Sequence, residues 1–172
     1  MFDEKESLEM LEGYSSHYNY DTSYMKNMLK DAPAAYETFE GFLPMASYSN
    51  KIKKDVFFVA QLTAMKNEDC GSCLQLIVDK AIEAGVDKNI IEDLMFNEGK
   101  KLDDELKDVH EFTLAVVSYE EVDKNLYDRM NWTYSKEIMV ELSLAIASCK
   151  VFPTLKRVLN NFESCSLIKI KV

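Results

Sequence analysis

Cys70-Gly71-Ser72-Cys73-Leu74-Gln75-Leu76-Ile77-Val78-Asp79-Lys80-Ala81-Ile82-Glu83-Ala84-Gly85 decides the fold class. Leu74, Ile77, Val78, Ala81 and Ile82 stand at i, i+3, i+4, i+7 and i+8, the period of one helix face. Gly85 suits the left-handed position just past a helix end, so the spacing predicts a helix from about residue 70 to residue 85. The same period continues in both directions. Upstream, Asn50 offers a cap for a helix to Lys66, in which Ile52, Val56, Val59, Ala60 and Thr63 form one stripe and Phe57, Phe58, Leu62 and Met65 fill much of the rest. A helix apolar over most of its circumference is central or sits at a subunit contact. Farther upstream, helices are expected at residues 4 to 19, 23 to 30 and 33 to 45, the last two started by Thr22 and by Asp31 with Pro33.

Downstream, Asp87 caps a helix through Phe96, and Asn97-Glu98-Gly99-Lys100 is a break. Leu102, Leu106, Val109, His110, Thr113, Val116 and Val117 form the next stripe. Ser118 and Glu121 have the spacing of a capping box for a helix to Arg129. Ile138, Leu142, Ala145, Ile146 and Cys149 mark a helix begun at Thr133 or Ser135, and a final one covers residues 153 to 162. Residues 167 to 172 alternate Ile168, Ile170 and Val172 with Lys169 and Lys171, the pattern of a short extended arm that docks on a neighbour.

Composition agrees with an all-α chain. The 172 residues, 47% apolar and 29% charged, fit one domain, and 5 Gly with 3 Pro leave little punctuation for the turns of a β fold. A net charge of -10 repels phosphate backbones, which removes nucleic acid and anionic membrane surfaces as default partners. The first residues lack the basic and apolar regions of a signal peptide, and no run approaches ~18 uninterrupted apolar residues, so a cytoplasmic location is expected. Four cysteines are too few for a disulfide scaffold.

Cys70 and Cys73 form the one constellation whose spacing has a chemical reason. Residues i and i+3 share a helix face about 5 to 6 Å apart, within reach of a disulfide. In the first turn of a helix both sulfurs also feel the positive end of the macrodipole, which favours thiolate. The helix end alone would make Cys70 the more exposed thiolate. Two other readings stand beside redox chemistry: a pair of buried structural thiols, and half of a zinc site. Zinc usually takes four ligands, yet there is no second C-x-x-C, Cys149 and Cys165 are far apart in sequence, and the only histidines are His17 and His110. No metal and no cofactor are therefore expected.

The run from Asn67 through Leu76 into Ile82-Glu83-Ala84-Gly85-Val86 resembles the core of the carboxymuconolactone decarboxylase and alkylhydroperoxidase D (AhpD-like) superfamily. Glu141-Leu142-Ser143-Leu144-Ala145-Ile146-Ala147 and Val151-Phe152-Pro153-Thr154-Leu155-Lys156-Arg157 resemble its last two helices. The resemblance covers residues 50 to 160, with residues 1 to 49 a helical extension of no assigned kinship and 161 to 172 a tail. It implies an AhpD-like helical bundle forming a homo-oligomer, whose cysteine pair reduces a small peroxide or disulfide and is recharged by a dithiol protein, thioredoxin-like or lipoylated. It also implies that Cys73 is the nucleophile and Cys70 the resolving cysteine.

This chain departs from the family at the proton relay. The His expected four residues after the second cysteine is Ile77, and the upstream Glu falls on Phe58, with Asp55 the nearest carboxylate. That departure weakens peroxidase chemistry more than thiol-disulfide exchange, which needs a thiolate and a good leaving thiol rather than a dedicated base. Substitutes are Asp69 and Glu68, acting through water, Gln75, which can orient a water or a sulfenic acid, and His110, either a hydrogen-bonded core residue or a relocated base. His17 receives no role, Cys149 reads as inert packing, and Cys165 as an exposed adventitious thiol. The leading expectation is a thiol-disulfide oxidoreductase or alkylhydroperoxidase-like antioxidant protein. A non-catalytic helical binding protein with structural cysteines is the alternative. A ring-opening decarboxylase ranks last, because Arg129, Arg157 and two histidines are few for handling an anionic lactone.

Overall fold

The computed structural model describes residues 2–161 and 168–170, and among them the chain forms eleven helices and no strand. In order they are α1 (Glu4–Tyr18), α2 (Ser23–Asp31), α3 (Pro33–Glu40), α4 (Leu43–Ala46), α5 (Lys54–Asn67), α6 (Gly71–Glu83), α7 (Lys88–Phe96), α8 (Asp104–Val117), α9 (Lys124–Thr133), α10 (Lys136–Ser148) and α11 (Val151–Val158). The all-helical class is as the periodicity predicts. Carboxylate and hydroxyl caps set five of the eleven starts: Asp3, Asp87, Asp103, Asp123 and Ser135 each accept backbone N–H bonds in the first turn of α1, α7, α8, α9 and α10. Each such cap is worth about 1 kcal/mol.

α5 is the axis. Every residue from Val56 to Met65 is buried, because α6, α7, α8 and α10 pack around it. Burial of each large apolar side chain there stabilises the fold by roughly 1.5–3 kcal/mol. Of the two places that its all-round apolar character allowed, α5 takes the centre of its own chain. In the described part of the tail, Ile168 and Ile170 pack on the same core.

Residues before α5 build a second, smaller core from Leu11, Tyr20, Tyr24, Met25, Leu29, Tyr36 and Phe39. Leu76 of α6 and Val151, Phe152 and Leu155 of α11 pack against it. The N-terminal extension therefore lies over the end of the molecule that carries the cysteine pair. His17 and Tyr18 fix it there, bonding the two oxygens of Glu83 at 3.1 and 2.5 Å.

Several boundaries differ from the sequence reading. α5 begins at Lys54, not after Asn50, because the backbone N–H groups of Asn50, Lys51 and Ile52 all donate to the buried Glu141 carboxylate. The chain breaks at Gly41–Phe42, dividing the expected helix at 33 to 45 into α3 and α4. Ser118 ends α8 instead of starting a helix, with Tyr119 turning left-handed at φ 59°, and α9 waits for the Asp123 carboxylate, which accepts from Asn125 and Leu126. Gly85 takes the expected left-handed conformation at φ 75°. Lys136–Val158 is long and apolar enough by composition to cross a membrane, but the fold divides it between α10 and α11 and buries Glu141 and Lys156 within it. The last helix, α11, ends at Val158 and does not reach Phe162, because the chain turns at its cap Leu159 and Asn160 is left-handed at φ 54°; Cys165, Leu167, Lys171 and Val172 lie outside the described residues.

Candidate functional site

The turn between α5 and α6 sets the cysteines. Asp69 is left-handed at φ 51°, a conformation that Asp tolerates better than most residues, and it hands the chain to Cys70, the extended N-cap of α6. The Cys70 carbonyl accepts the Leu74 N–H at 2.8 Å, closing the first turn. Cys70 and Cys73 then face each other across that turn with Cα atoms 5.3 Å apart and are joined as a disulfide.

The pair is not on the surface. Cys70 is 1% exposed and Cys73 2%, so the expectation that Cys70 is the open thiolate at the helix end is corrected. The cover is the N-terminal extension: the Tyr20 hydroxyl lies 3.8 Å from Cys73 Sγ and 3.4 Å from the Tyr24 hydroxyl. A disulfide sulfur has no proton, so Tyr20 is the donor to it. Burial holds the Tyr20 phenol well above its usual range despite the opposing bond from Tyr24, so it keeps its proton at neutral pH.

Behind the pair stands Lys156 of α11, 2% exposed. Its ammonium donates to Ser72 Oγ at 2.9 Å, and Ser72 Oγ lies 3.9 Å from Cys70 Sγ. It also sits over the rings of Tyr20 and Tyr24, 4.5 and 5.3 Å from their centroids. A lysine enters a protein interior only when its charge is met, and aromatic faces with a hydroxyl acceptor meet part of it here. Arg157, next in sequence, bonds the Glu68 carbonyl and approaches its carboxylate at 3.5 Å, tying α11 to the turn before Cys70.

Cys73, and not Cys70, opens onto a cavity of about 220 Å³ between the two cores. Its wall is mainly apolar: Met10, Leu11 and Tyr14 of α1, Met65 of α5, Leu76 and Ile77 of α6, and Phe152 of α11. Ile77, at the position of the expected histidine, thus lines the same space as Cys73. Cys149 shares the wall, where burial foremost, and then Glu68, pushes its thiol up to about 12 and keeps it protonated. That fits the inert packing role read from its stripe.

The other candidates go elsewhere. Gln75 does not face the cysteines: its amide receives the Lys169 N–H at 2.7 Å and returns a bond to the Lys169 carbonyl at 2.8 Å, clasping the tail. His110 lies on a separate cavity of about 610 Å³ bordered by α5, α7 and α8, into which neither cysteine reaches. Its Nδ1 is 2.8 Å from Thr63 Oγ1, and burial, reinforced by Lys66, lowers its pKa. It is a half-buried, hydrogen-bonded histidine on a cavity wall away from the cysteine pair. Asp69 is exposed and shapes the turn, while Phe58 is buried and Asp55 does not line the Cys73 cavity. Among the described residues no three His, Cys, Asp or Glu side chains gather to hold a metal.

The sequence reading therefore found the two cysteines and missed Tyr20, Tyr24, Ser72 and Lys156. Lys156 was legible in part, being a cation on the apolar face that Phe152 and Leu155 share with the smaller core; the tyrosines were not, since nothing local ties residues 20 and 24 to residue 73. No family model, curated protein or solved structure matches the chain.

Proposed function

We propose that the chain is a thiol-dependent oxidoreductase of the alkylhydroperoxidase D kind, in which Cys73 reduces a small organic hydroperoxide or disulfide and Cys70 resolves the product. The observation that carries the reading is the placement of Cys73 in the wall of an apolar cavity, with a protonated Tyr20 hydroxyl 3.8 Å away and both sulfurs otherwise closed to solvent. Burial of this degree disfavours direct exchange with a folded protein's disulfide and favours a substrate small enough to enter.

With a hydroperoxide, the reduced Cys73 thiolate attacks the terminal peroxide oxygen. An S–O bond forms, the O–O bond breaks, and the alkoxide leaves as the alcohol by taking a proton. Tyr20 can donate a hydrogen bond to that departing oxygen, the task the family gives to the histidine replaced here by Ile77. Cys70 then attacks the sulfenic sulfur, forming the S–S bond and releasing water. A dithiol donor supplies two electrons and two protons to reopen the disulfide and is itself oxidised. A dithiol on a slender arm, as in a lipoylated protein, suits a covered pair.

The test is turnover of cumene hydroperoxide and of a small aromatic disulfide, driven by dithiothreitol, in the parent, Cys73→Ser and Tyr20→Phe. Cys73→Ser is expected to abolish both activities, and Tyr20→Phe to slow hydroperoxide turnover by about 10²-fold while affecting the disulfide less. Absence of both activities in the parent, unchanged by Cys73→Ser, would overturn the reading in favour of structural cysteines.

A further inference from the structure

The cavity beside Cys73 has one cationic group in its wall, Lys80, one turn beyond Leu76 and Ile77 on α6. Among the described residues Lys80 has no carboxylate or carbonyl oxygen in bonding range; its ammonium lies 5.9 Å from the centre of the Tyr14 ring. The carboxylates that could pair with it are otherwise engaged. Glu83 bonds His17 and Tyr18, and Asp79 accepts from Gln75 at 3.0 Å. Apart from the polar Ser47, Gln61 and Ser148, the remaining wall offers mainly methionine, aliphatic and aromatic surface, and methionine fits varied apolar shapes.

We infer that the cavity is a binding site for a small monocarboxylate with an apolar body, its carboxylate on Lys80 and its hydrocarbon part along Met65, Leu76, Ile77 and Phe152 toward Cys73. This names the substrate class of the proposed redox site and rests on that reading for the chemistry, though not for the binding. An apolar cavity of ~150 Å³ holds one benzene ring, so the space here takes a ring with a short side chain or a chain of roughly six to eight carbons. Burial lowers the Lys80 pKa against the opposing pull of Glu83, and a bound carboxylate would supply the counter-charge the cavity lacks. Ile77 contributes as well: a histidine there would place a polar group where the chain must lie.

Octanoate, 1-octanol and octylamine are the probes, titrated by calorimetry into reduced parent protein, Lys80→Met and Leu76→Trp, with protection of Cys73 from N-ethylmaleimide as a second readout. Octanoate is expected to bind at least 10-fold more tightly than octylamine and to shield Cys73. Lys80→Met should weaken octanoate about 10-fold and leave octanol unchanged, whereas Leu76→Trp, which fills the space, should remove both. Equal affinity for the three probes, an unchanged octanoate affinity in Lys80→Met, or binding that leaves Cys73 reactive would each overturn the inference. Repeating the titration on Cys73→Ser separates the two readings: retained binding without any redox activity in the parent would sink the oxidoreductase alone, and redox activity without octanoate binding would sink this inference alone.

Discussion

Lys156→Met removes the one buried cation next to the cysteine pair while keeping a side chain of similar length and volume. Two contacts, 2.9 Å from Lys156 Nζ to Ser72 Oγ and 3.9 Å from Ser72 Oγ to Cys70 Sγ, put the ammonium within about 7 Å of that sulfur. At an effective dielectric constant of about 20, a unit charge at that distance favours a thiolate by about 2 kcal/mol, which corresponds to roughly 1 to 2 pKa units. The sign is fixed. Removing the cation disfavours the charged form, so the reactive thiol of the reduced variant titrates higher than in the parent. Asp21, whose carboxyl also feels Lys156, remains in both proteins. The assay is the rate of iodoacetamide alkylation against pH, resolved by peptide mass to Cys70 and Cys73. At pH 7 the variant should react about 10-fold or more slowly. Cys149, with its thiol near 12, reports on folding, since it is alkylated only if the core opens. Coincident titration curves for parent and variant, with Cys149 still protected, would show that the ammonium packs between two tyrosines without acting on the pair.

Two further outcomes follow from hydrogen bonds seen away from the sulfurs. Burial pushes the Glu141 carboxyl up, but the N–H groups of Ile52, Lys51 and Asn50 outweigh it and hold it below its ordinary 4.5; the stability it contributes is therefore present above that value and lost as pH falls through the lower folded value. Glu141→Gln should destabilise the protein at pH 7 and flatten the acid limb of a urea-midpoint profile, and a limb identical to the parent's would refute the assignment. Gln75→Ala should release residues 168–170, costing about 1–3 kcal/mol for two hydrogen bonds and exposing the Lys169 amide to exchange, with alkylation of Cys73 unchanged. Faster alkylation at Cys73 would return Gln75 to the redox site.

The legibility of this chain follows the range of its interactions. α6, α7, α8 and α10 could be read because their apolar stripes and caps are local, and the C-x-x-C because its geometry needs only one helical turn. The start of α5 could not, since Glu141, 89 to 91 residues away, claims the N–H groups of residues 50 to 52. Ser118 and Glu121 had the right spacing for a capping box, and a left-handed Tyr119 closed α8 there instead. Lys156 and Tyr20 became site residues only through tertiary packing. Both lie where sequence patterns are ambiguous, a cation on an apolar face and one of several tyrosines in a segment with no clear stripe.

The N-terminal extension changes what the cysteine pair can do. An i, i+3 pair at a helix start is by default an open redox motif that any protein thiol can reach. Here Leu11, Tyr14, Tyr20 and Met25 close over it, and the space they leave is an apolar cavity with Cys73 at its wall. Ile77 is in keeping with the rest of that mainly apolar wall. The hydroxyl nearest Cys73 Sγ, that of Tyr20, is brought in by the extension itself. Residues of the extension and Ile77 thus line one cavity, so the extension shapes the space beside Cys73 as well as covering it.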